Sequence, residues 1–225
     1  MGFGVLIRWG CLQARAYQIM AAVTMDRLAR LASVPALSLA LILAACGGGQ
    51  GGAVQEPPLA GARIGGAFAL TDGKGRTIRD TDFAGRYRIV YFGYTYCPDV
   101  CPVDLQKIAA GLKVFEGAHP ELAPKVVPIF VTVDPERDTP EVVGRYVAAF
   151  HPRMVGLTGT PQAIADVARA YAVPFAKRQD PGSTEYLMDH GTQAYLMAPD
   201  GKPIALLPTD QDPQAIAREL ERWVR

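Results

Sequence analysis

The segment RYRIVYFGYTYCPDVCPVDLQKIAAGLKVFEGA, residues 86–118, decides the fold. Its first part, residues 86–94, has the aromatic and β-branched content of a buried strand. Its last part, from Pro102 to about Ala118, sets Leu105, Ile108, Ala109, Leu112 and Phe115 along one stripe of a helix. Between them stand Cys97 and Cys101, each followed by a proline. Strand, cysteine turn and helix together read as the first unit of an α/β fold, with its reactive groups at the carboxyl end of a strand.

On a continuous helix the i, i+4 spacing would put both thiols on one face. A residue before proline is biased away from helical backbone, however, and both cysteines precede one. The expected geometry therefore has Cys97 ending the strand and residues 98–100 making a tight turn. Cys101 then caps a helix that begins at Pro102. The turn brings the sulfurs within bonding or chelating range, and the positive end of the helix favours thiolate over thiol. Three uses fit such a pair. A stabilising disulfide would close so short a loop that it removes little unfolded-chain entropy. A thiol–disulfide oxidoreductase typically has two residues between its cysteines, whereas this chain has three. The third use is a metal site.

Working outward, residues 64–79 read as a hairpin around a DGKG turn, and residues 125–134 as a second central strand. Three later segments open on Thr139, Thr160 and Asp212, each followed by a proline, which is a cap followed by a first helical position. MVGL and VPFAKR between them read as short strands, and residues 185–207 as a hairpin turning at PDG. Alternating strands and helices that end in a hairpin and a helix predict a thioredoxin-like α/β fold. It has a central mixed β-sheet flanked by helices, with an N-terminal β-hairpin, over residues 64–225.

The N-terminal part has a different character. From Met25 the chain reads MDRLARLASVPALSLALILAAC, the charged, apolar and small-residue order of a secretory signal. LAAC ends on Cys46 and has the form of a bacterial lipobox, so residues 25–45 are expected to be a lipoprotein signal peptide and Cys46 the lipidated residue. Residues 46–63 read as a Gly- and Pro-rich tether. Residues 1–24, which include Cys11, precede a signal that has its own methionine and are expected to be an over-extended N-terminus. The domain is thus expected outside the cytoplasm, anchored to a membrane by lipid and facing the periplasm or extracytoplasmic space. With 225 residues, 49% of them hydrophobic, the chain can bury a core without a disulfide framework. A net charge of +1 gives no electrostatic case for nucleic acid. In an oxidising compartment, Cys97 and Cys101 must form a disulfide, a metal site or a redox couple.

A metal needs more than two sulfurs, and the chain holds three histidines. His119 and His151 each precede a proline at a helix end and read as surface or capping residues. His190 lies between two apolar strand stretches, beside Asp189, which could orient an imidazole, and Gly191, which permits close approach. By sequence alone it reads equally as a ligand or as a satisfied core histidine. Met188 alternates away from Asp189 and reads as core. Two thiolates and an imidazole would suit copper, monovalent or divalent, whereas structural zinc wants four protein ligands.

FGYTYCPDVCPVDL, VTVDPERDTP and DHGTQAYLMAPDG together resemble the three signature blocks of the Sco/SenC family of thioredoxin-like copper proteins, a likeness extending over residues 65–224. The resemblance implies that Cys97, Cys101 and His190 are copper ligands, and that Asp134 is an accessory ligand or a structural residue. It further implies a copper metallochaperone for the copper A centre of cytochrome c oxidase subunit II. The alternative is a thiol–disulfide oxidoreductase that reduces the cysteines of that centre so that another copper chaperone can load it, with Cys97 and Cys101 as the redox pair. Either role calls for an upstream thioredoxin-like reductase, since exported thiols oxidise.

Overall fold

The computed structural model describes residues 55–179 and 181–225. The expected signal peptide, Cys11, Cys46 and residues 46–54 of the expected tether lie outside the described residues. A compact unit runs over Glu56–Arg225. The Leu59 amide donates to the Ile204 carbonyl at 2.9 Å, so the chain already lies on this unit ahead of residue 64. Among the described residues no helix is long and apolar enough to cross a membrane.

In chain order the elements are β1 (Ala69–Asp72), β2 (Thr77–Arg79), β3 (Tyr87–Gly93), α1 (Val100–Ala118), β4 (Val126–Thr132), α2 (Pro140–Ala148), β5 (Val155–Thr158), α3 (Pro161–Ala170), β6 (Phe175–Arg178), β7 (Leu187–His190), β8 (Ala194–Met197), β9 (Pro203–Leu207) and α4 (Pro213–Trp223). The main sheet has the order β2-β1-β5-β4-β3-β8-β9. Strands β3, β4 and β5 run parallel, and β8 pairs antiparallel with β3. This is the mixed sheet of a thioredoxin-like fold, with the β1–β2 hairpin added at one edge.

Strands β3 and β4 are buried along their whole length, as expected of parallel strands covered on both faces. Tyr91, Gly93 and Phe130 face α1, and Tyr146 of α2 stacks on Phe130 from that same side. Phe92 faces the other way, against Tyr171 just beyond α3, which also meets Tyr195. Phe92, Phe115 and Phe130 are fully buried. Each contributes roughly 1.5–3 kcal/mol relative to an exposed side chain.

All three expected caps form. Thr139, Thr160 and Asp212 accept from the amides of Val142, Ala163 and Ala215, with a proline at each helix start. Each such cap contributes about 1 kcal/mol. The start of α1 differs from expectation. The helix begins at Val100, so Cys101 lies inside it rather than capping it. Pro102 is tolerated there because the amides of a helix's first turn lack intrahelical partners anyway, so its missing N–H costs nothing.

Residues 185–207 also depart from a single hairpin. Strand β7 pairs with β6 in a separate two-stranded sheet, whereas β8 and β9 form the hairpin that turns at PDG. The burial explains the split. Residues 194–197 are buried on both faces and suit a place beside β3, whereas residues 187–190 alternate between exposed and half-buried.

Candidate metal centre

The chain leaves β3 at Gly93 through a site with no room for a larger residue. A Cβ there would stand 2.8 Å from the Cys101 sulfur and 3.1 Å from the Phe130 ring. Glycine thus lets the backbone of β3 approach the sulfur from behind. The next turn is held by Asp138, a fully buried residue. Its carboxylate accepts from the Thr95 amide (2.9 Å), the Thr95 hydroxyl (2.5 Å) and the Thr132 hydroxyl (2.6 Å).

Helix α1 then begins without a side-chain cap from Asp99. The Cys101 amide, one of the orphan donors of the first turn, points instead at the Cys97 sulfur, 3.4 Å away. Cys97 is half-buried and Cys101 fully buried, and both are free thiols. Burial pushes the Cys101 thiol well above its usual range, with the hydrogen bond to Cys97 adding to the shift. The helix end was expected to favour thiolate, but at Cys101 desolvation wins. Any metal bound there has to displace that proton.

His190 arrives from the end of β7. Its Nε2 lies 3.2 Å from the Cys101 sulfur. Its Nδ1 lies 2.9 Å from the Gly191 carbonyl. A carbonyl oxygen only accepts, so the neutral ring carries its proton on Nδ1 and presents the Nε2 lone pair to the sulfurs. Tyr94 meets the imidazole edge-on at 5.8 Å and fixes its plane. The two sulfurs and one ring nitrogen all lie within 4.8 Å of one another, and among the described residues no other Cys, His, Asp or Glu joins the group. A cavity of about 260 Å³ opens beside it, lined by Tyr94, Cys97, Val100, Met188 and His190 among others. Two soft sulfurs and an imidazole, with no fourth Cys, His, Asp or Glu beside them among the described residues, form a donor set that suits copper better than structural zinc.

The other sequence candidates fall elsewhere. Asp134 is 2% exposed, and both its carboxylate oxygens are taken. Oδ1 accepts from the Tyr186 hydroxyl at 2.9 Å and Oδ2 from the Arg137 Nε at 2.5 Å. Asp189 does not orient the imidazole. Strand alternation turns it outward, where it lies 3.5 Å from Arg178, and the Gly191 carbonyl takes the orienting role. Met188 packs against the core, as expected. His119 is half-exposed at the end of α1, near Glu121 and Glu221. His151 is not a surface residue. It is buried, accepts from the Arg153 amide on Nδ1 and faces Glu116 across 3.4 Å.

Sequence reasoning missed Arg137, Asp138, Tyr94 and Tyr186. Two of these lie inside the quoted block VTVDPERDTP, where a carboxylate and a guanidinium at the end of a buried strand were the available signal. Behind Cys101, the Tyr91 hydroxyl also donates to the buried Asp104 carboxyl at 3.0 Å.

Comparisons with known proteins agree with this geometry. The sequence profile of the SCO1/SenC family matches residues 56–225. The chain is 45% identical over 150 residues to the mitochondrial SCO1 homolog 1 of Arabidopsis thaliana, covering 66% of this chain and 43% of that protein. It is 39% identical over 175 residues to the SenC protein of Rhodobacter capsulatus, covering 77% of this chain and 73% of that one. The chain spans about half the length of the first curated relatives it matches. Among solved structures, ScoI of Bradyrhizobium japonicum with copper bound superposes with a TM-score of 0.65 at 39% identity, over 72% of this chain and 99% of that one.

Proposed function

The chain belongs to the SCO1/SenC family, and from that premise we propose that Cys97, Cys101 and His190 bind copper for assembly of the copper A centre of cytochrome c oxidase subunit II. The convergence of two sulfurs and one imidazole nitrogen within 4.8 Å carries the reading. The copper-bound state of the Bradyrhizobium relative supports it. Copper is cargo here. Each part of the site has a role in holding and releasing it. Cys101 supplies a buried sulfur and loses its proton on loading, Cys97 supplies the half-exposed sulfur from which copper can pass to a client thiolate, and His190 closes the set from a separate hairpin. Asp134 serves as a positioning residue rather than a ligand, because both its oxygens are occupied.

A second reading is favoured by the free state and closeness of the two thiols. In this reading the pair reduces a disulfide of the copper A site. Cys97 attacks one client sulfur, and Cys101 then displaces the client from the mixed disulfide. Two electrons and two protons pass to the client, and Cys97 and Cys101 are left as a disulfide. A thioredoxin-like reductase would reset them, and another copper chaperone would load the client. In both readings the domain is tethered outside the cytoplasm by lipid on Cys46, facing the periplasm or extracytoplasmic space.

Copper stoichiometry and absorption spectra of the full chain test the proposal, with wild type beside Cys97→Ser and His190→Ala. One copper per chain with intense sulfur-to-metal charge-transfer bands is expected for wild type, and loss of tight binding for both variants. A His190→Ala chain that binds copper as wild type does and still matures the oxidase would overturn the chaperone reading and leave the thiol chemistry.

A further inference from the structure

Cys97 and Cys101 are fixed by β3 and α1, but His190 stands on a hairpin outside the main sheet, packed on the core through Phe175 and Met188. Strands β6 and β7 form their own two-stranded sheet, and most of their residues are exposed or half-buried. At the foot of the hairpin, the Gly191 amide donates to the Pro174 carbonyl at 3.0 Å. Its far end is tied to the segment between β4 and α2 by Arg137, beside an exposed Lys177–Glu136 ion pair at 3.2 Å. Arg137 Nη1 donates to the Tyr186 carbonyl at 3.0 Å, and Nε to Asp134 at 2.5 Å. The Tyr186 hydroxyl returns to the other oxygen of Asp134. The guanidinium carbon lies 3.6 Å from the centre of the Tyr186 ring, 4.8 Å from that of Tyr96 and 5.8 Å from that of Tyr94. One side chain therefore touches the end of β4, the thiol turn and the imidazole-bearing hairpin. Its Nη2 is buried without an acceptor among the described residues, a cost borne for this placement.

We propose that Arg137 is a positioning residue: it latches the β6–β7 hairpin against the thiol turn and so sets the fraction of time that His190 Nε2 stands at the two sulfurs. The proposal deepens the copper reading and rests on it. With the latch made, the imidazole is already in place when metal arrives. With the latch broken, the hairpin pivots at residues 174 and 191 and copper meets two sulfurs alone. Apparent affinity then falls in proportion to the closed fraction. The same latch allows release, because a client that displaces the imidazole works only against the hairpin and leaves the fold of β3, β4 and α1 intact.

The test uses the full chain as wild type, Arg137→Gln, Arg137→Lys, His190→Ala and the Arg137→Gln/His190→Ala double variant. Monovalent copper affinity is measured against a chromophoric chelator. Without metal, amide hydrogen exchange over residues 186–191 and the His190 ring resonances are followed. Arg137→Gln is expected to weaken copper binding about tenfold or more, and to speed exchange of those amides by a similar factor while β3 and β4 stay protected. It also moves the His190 ring signal by removing the packing that holds Tyr94. Arg137→Lys, which keeps the charge but not the fork, recovers part of each effect. In the His190→Ala background, Arg137→Gln adds no further loss. An equal loss with and without His190, or wild-type hairpin exchange in Arg137→Gln, overturns the latch. If Arg137→Gln does not fold, Arg137→Lys and Tyr186→Phe carry the same comparison, since each removes one part of the latch. If wild type binds no copper, the copper reading has failed, while the exchange and ring signals still decide whether Arg137 holds the hairpin.

Discussion

Replacing Asp138 by Ala removes the acceptor that organises the thiol turn. Three donors lose their partner: the Thr95 amide, the Thr95 hydroxyl and the Thr132 hydroxyl, the last on a fully buried residue. Hydrogen bonds to a charged group contribute about 1.5–3 kcal/mol each, which sets a gross loss of about 3–6 kcal/mol if one of the three re-pairs with water. Removing a buried carboxylate also relieves its desolvation, so the net loss is about 2–4 kcal/mol. For a domain of this size that lowers Tm by about 5–15 °C. Asp138→Asn keeps one acceptor oxygen and loses less. Its pH dependence separates hydrogen bonding from charge. Burial raises the Asp138 carboxyl above its usual value, against the hydrogen bonds from Thr132 and Thr95. A raised folded-state pKa stabilises most below the unfolded value and loses that contribution as pH rises through the folded value. The deficit of Asp138→Asn relative to wild type is therefore larger near pH 4 than at pH 7. Urea unfolding of the metal-free chain at several pH values measures this, and alkylation of Cys97 reports the turn directly. Asp138→Ala should be alkylated faster at Cys97. Wild-type stability together with wild-type alkylation would refute the assignment of Asp138 as the anchor of the turn.

Gly93→Ala forces a methyl to within 2.8 Å of the Cys101 sulfur. The expected cost is about 1–3 kcal/mol of stability by denaturant unfolding, together with weaker copper binding, because the sulfur and the Phe130 ring must move. Gly111→Ala makes the opposite control. Its Cβ would meet Ile216 and the Pro213 carbonyl at 2.7 Å, where α1 crosses α4, so stability should fall by a similar ~1–3 kcal/mol while the copper spectrum is kept. His151 should impose an acid limit on stability. Burial lowers its pKa below the usual 6.5, outweighing the opposing pull of Glu116, while Arg153 and Lys113 add to the lowering. A depressed folded-state pKa gives stability that is present above 6.5 and lost as pH falls toward the folded value. His151→Gln should flatten the fall in Tm between about pH 6.5 and 5, and an unchanged slope would count against a buried neutral ring.

Much of the fold was legible because its signals are local. The buried strands β3 and β4, the three capped helices and the β1–β2 hairpin each announce themselves within a few residues. The candidate metal group was only partly so. Spacing made Cys97 and Cys101 a pair, but His190 could be paired with them only through the family resemblance, since β7 is far from α1 in sequence. The start of α1 was misplaced because the bias of a residue before proline is a tendency, which the stability of the first helical turn overrides at Cys101. Thiolate character at Cys101 was misjudged for a related reason. A helix end acts through a fraction of a charge, whereas complete burial removes all solvation from the anion. Asp189 could have been excluded from sequence, because a residue adjacent to His190 in a strand points to the opposite face. The partners of Asp134 and Arg137 could not, since Tyr186 approaches them only after the hairpin has folded back.

The segment between β4 and α2 explains why this site can be firm on one side and yielding on the other. Asp138 reaches one way and pins Thr95, two residues before Cys97. Asp134 and Arg137 reach the other way and pin Tyr186, four residues before His190. Both halves of the metal group are thus referred to the end of a single buried strand, which registers them with each other. The two anchors differ in kind. Asp138 is fully buried among short side chains, so releasing Thr95 disturbs the core. The hairpin anchor is a charged one, with the Arg137 guanidinium and Lys177 against the Tyr186 ring, and it ties a strand outside the main sheet, so releasing Tyr186 leaves β3, β4 and α1 paired. A site meant to hold metal permanently gains nothing from so unequal a pair of anchors. On the proposed copper-delivery reading, a site that gives metal up to a client needs one ligand that can leave without unfolding the other two, and His190 is the group placed to do so.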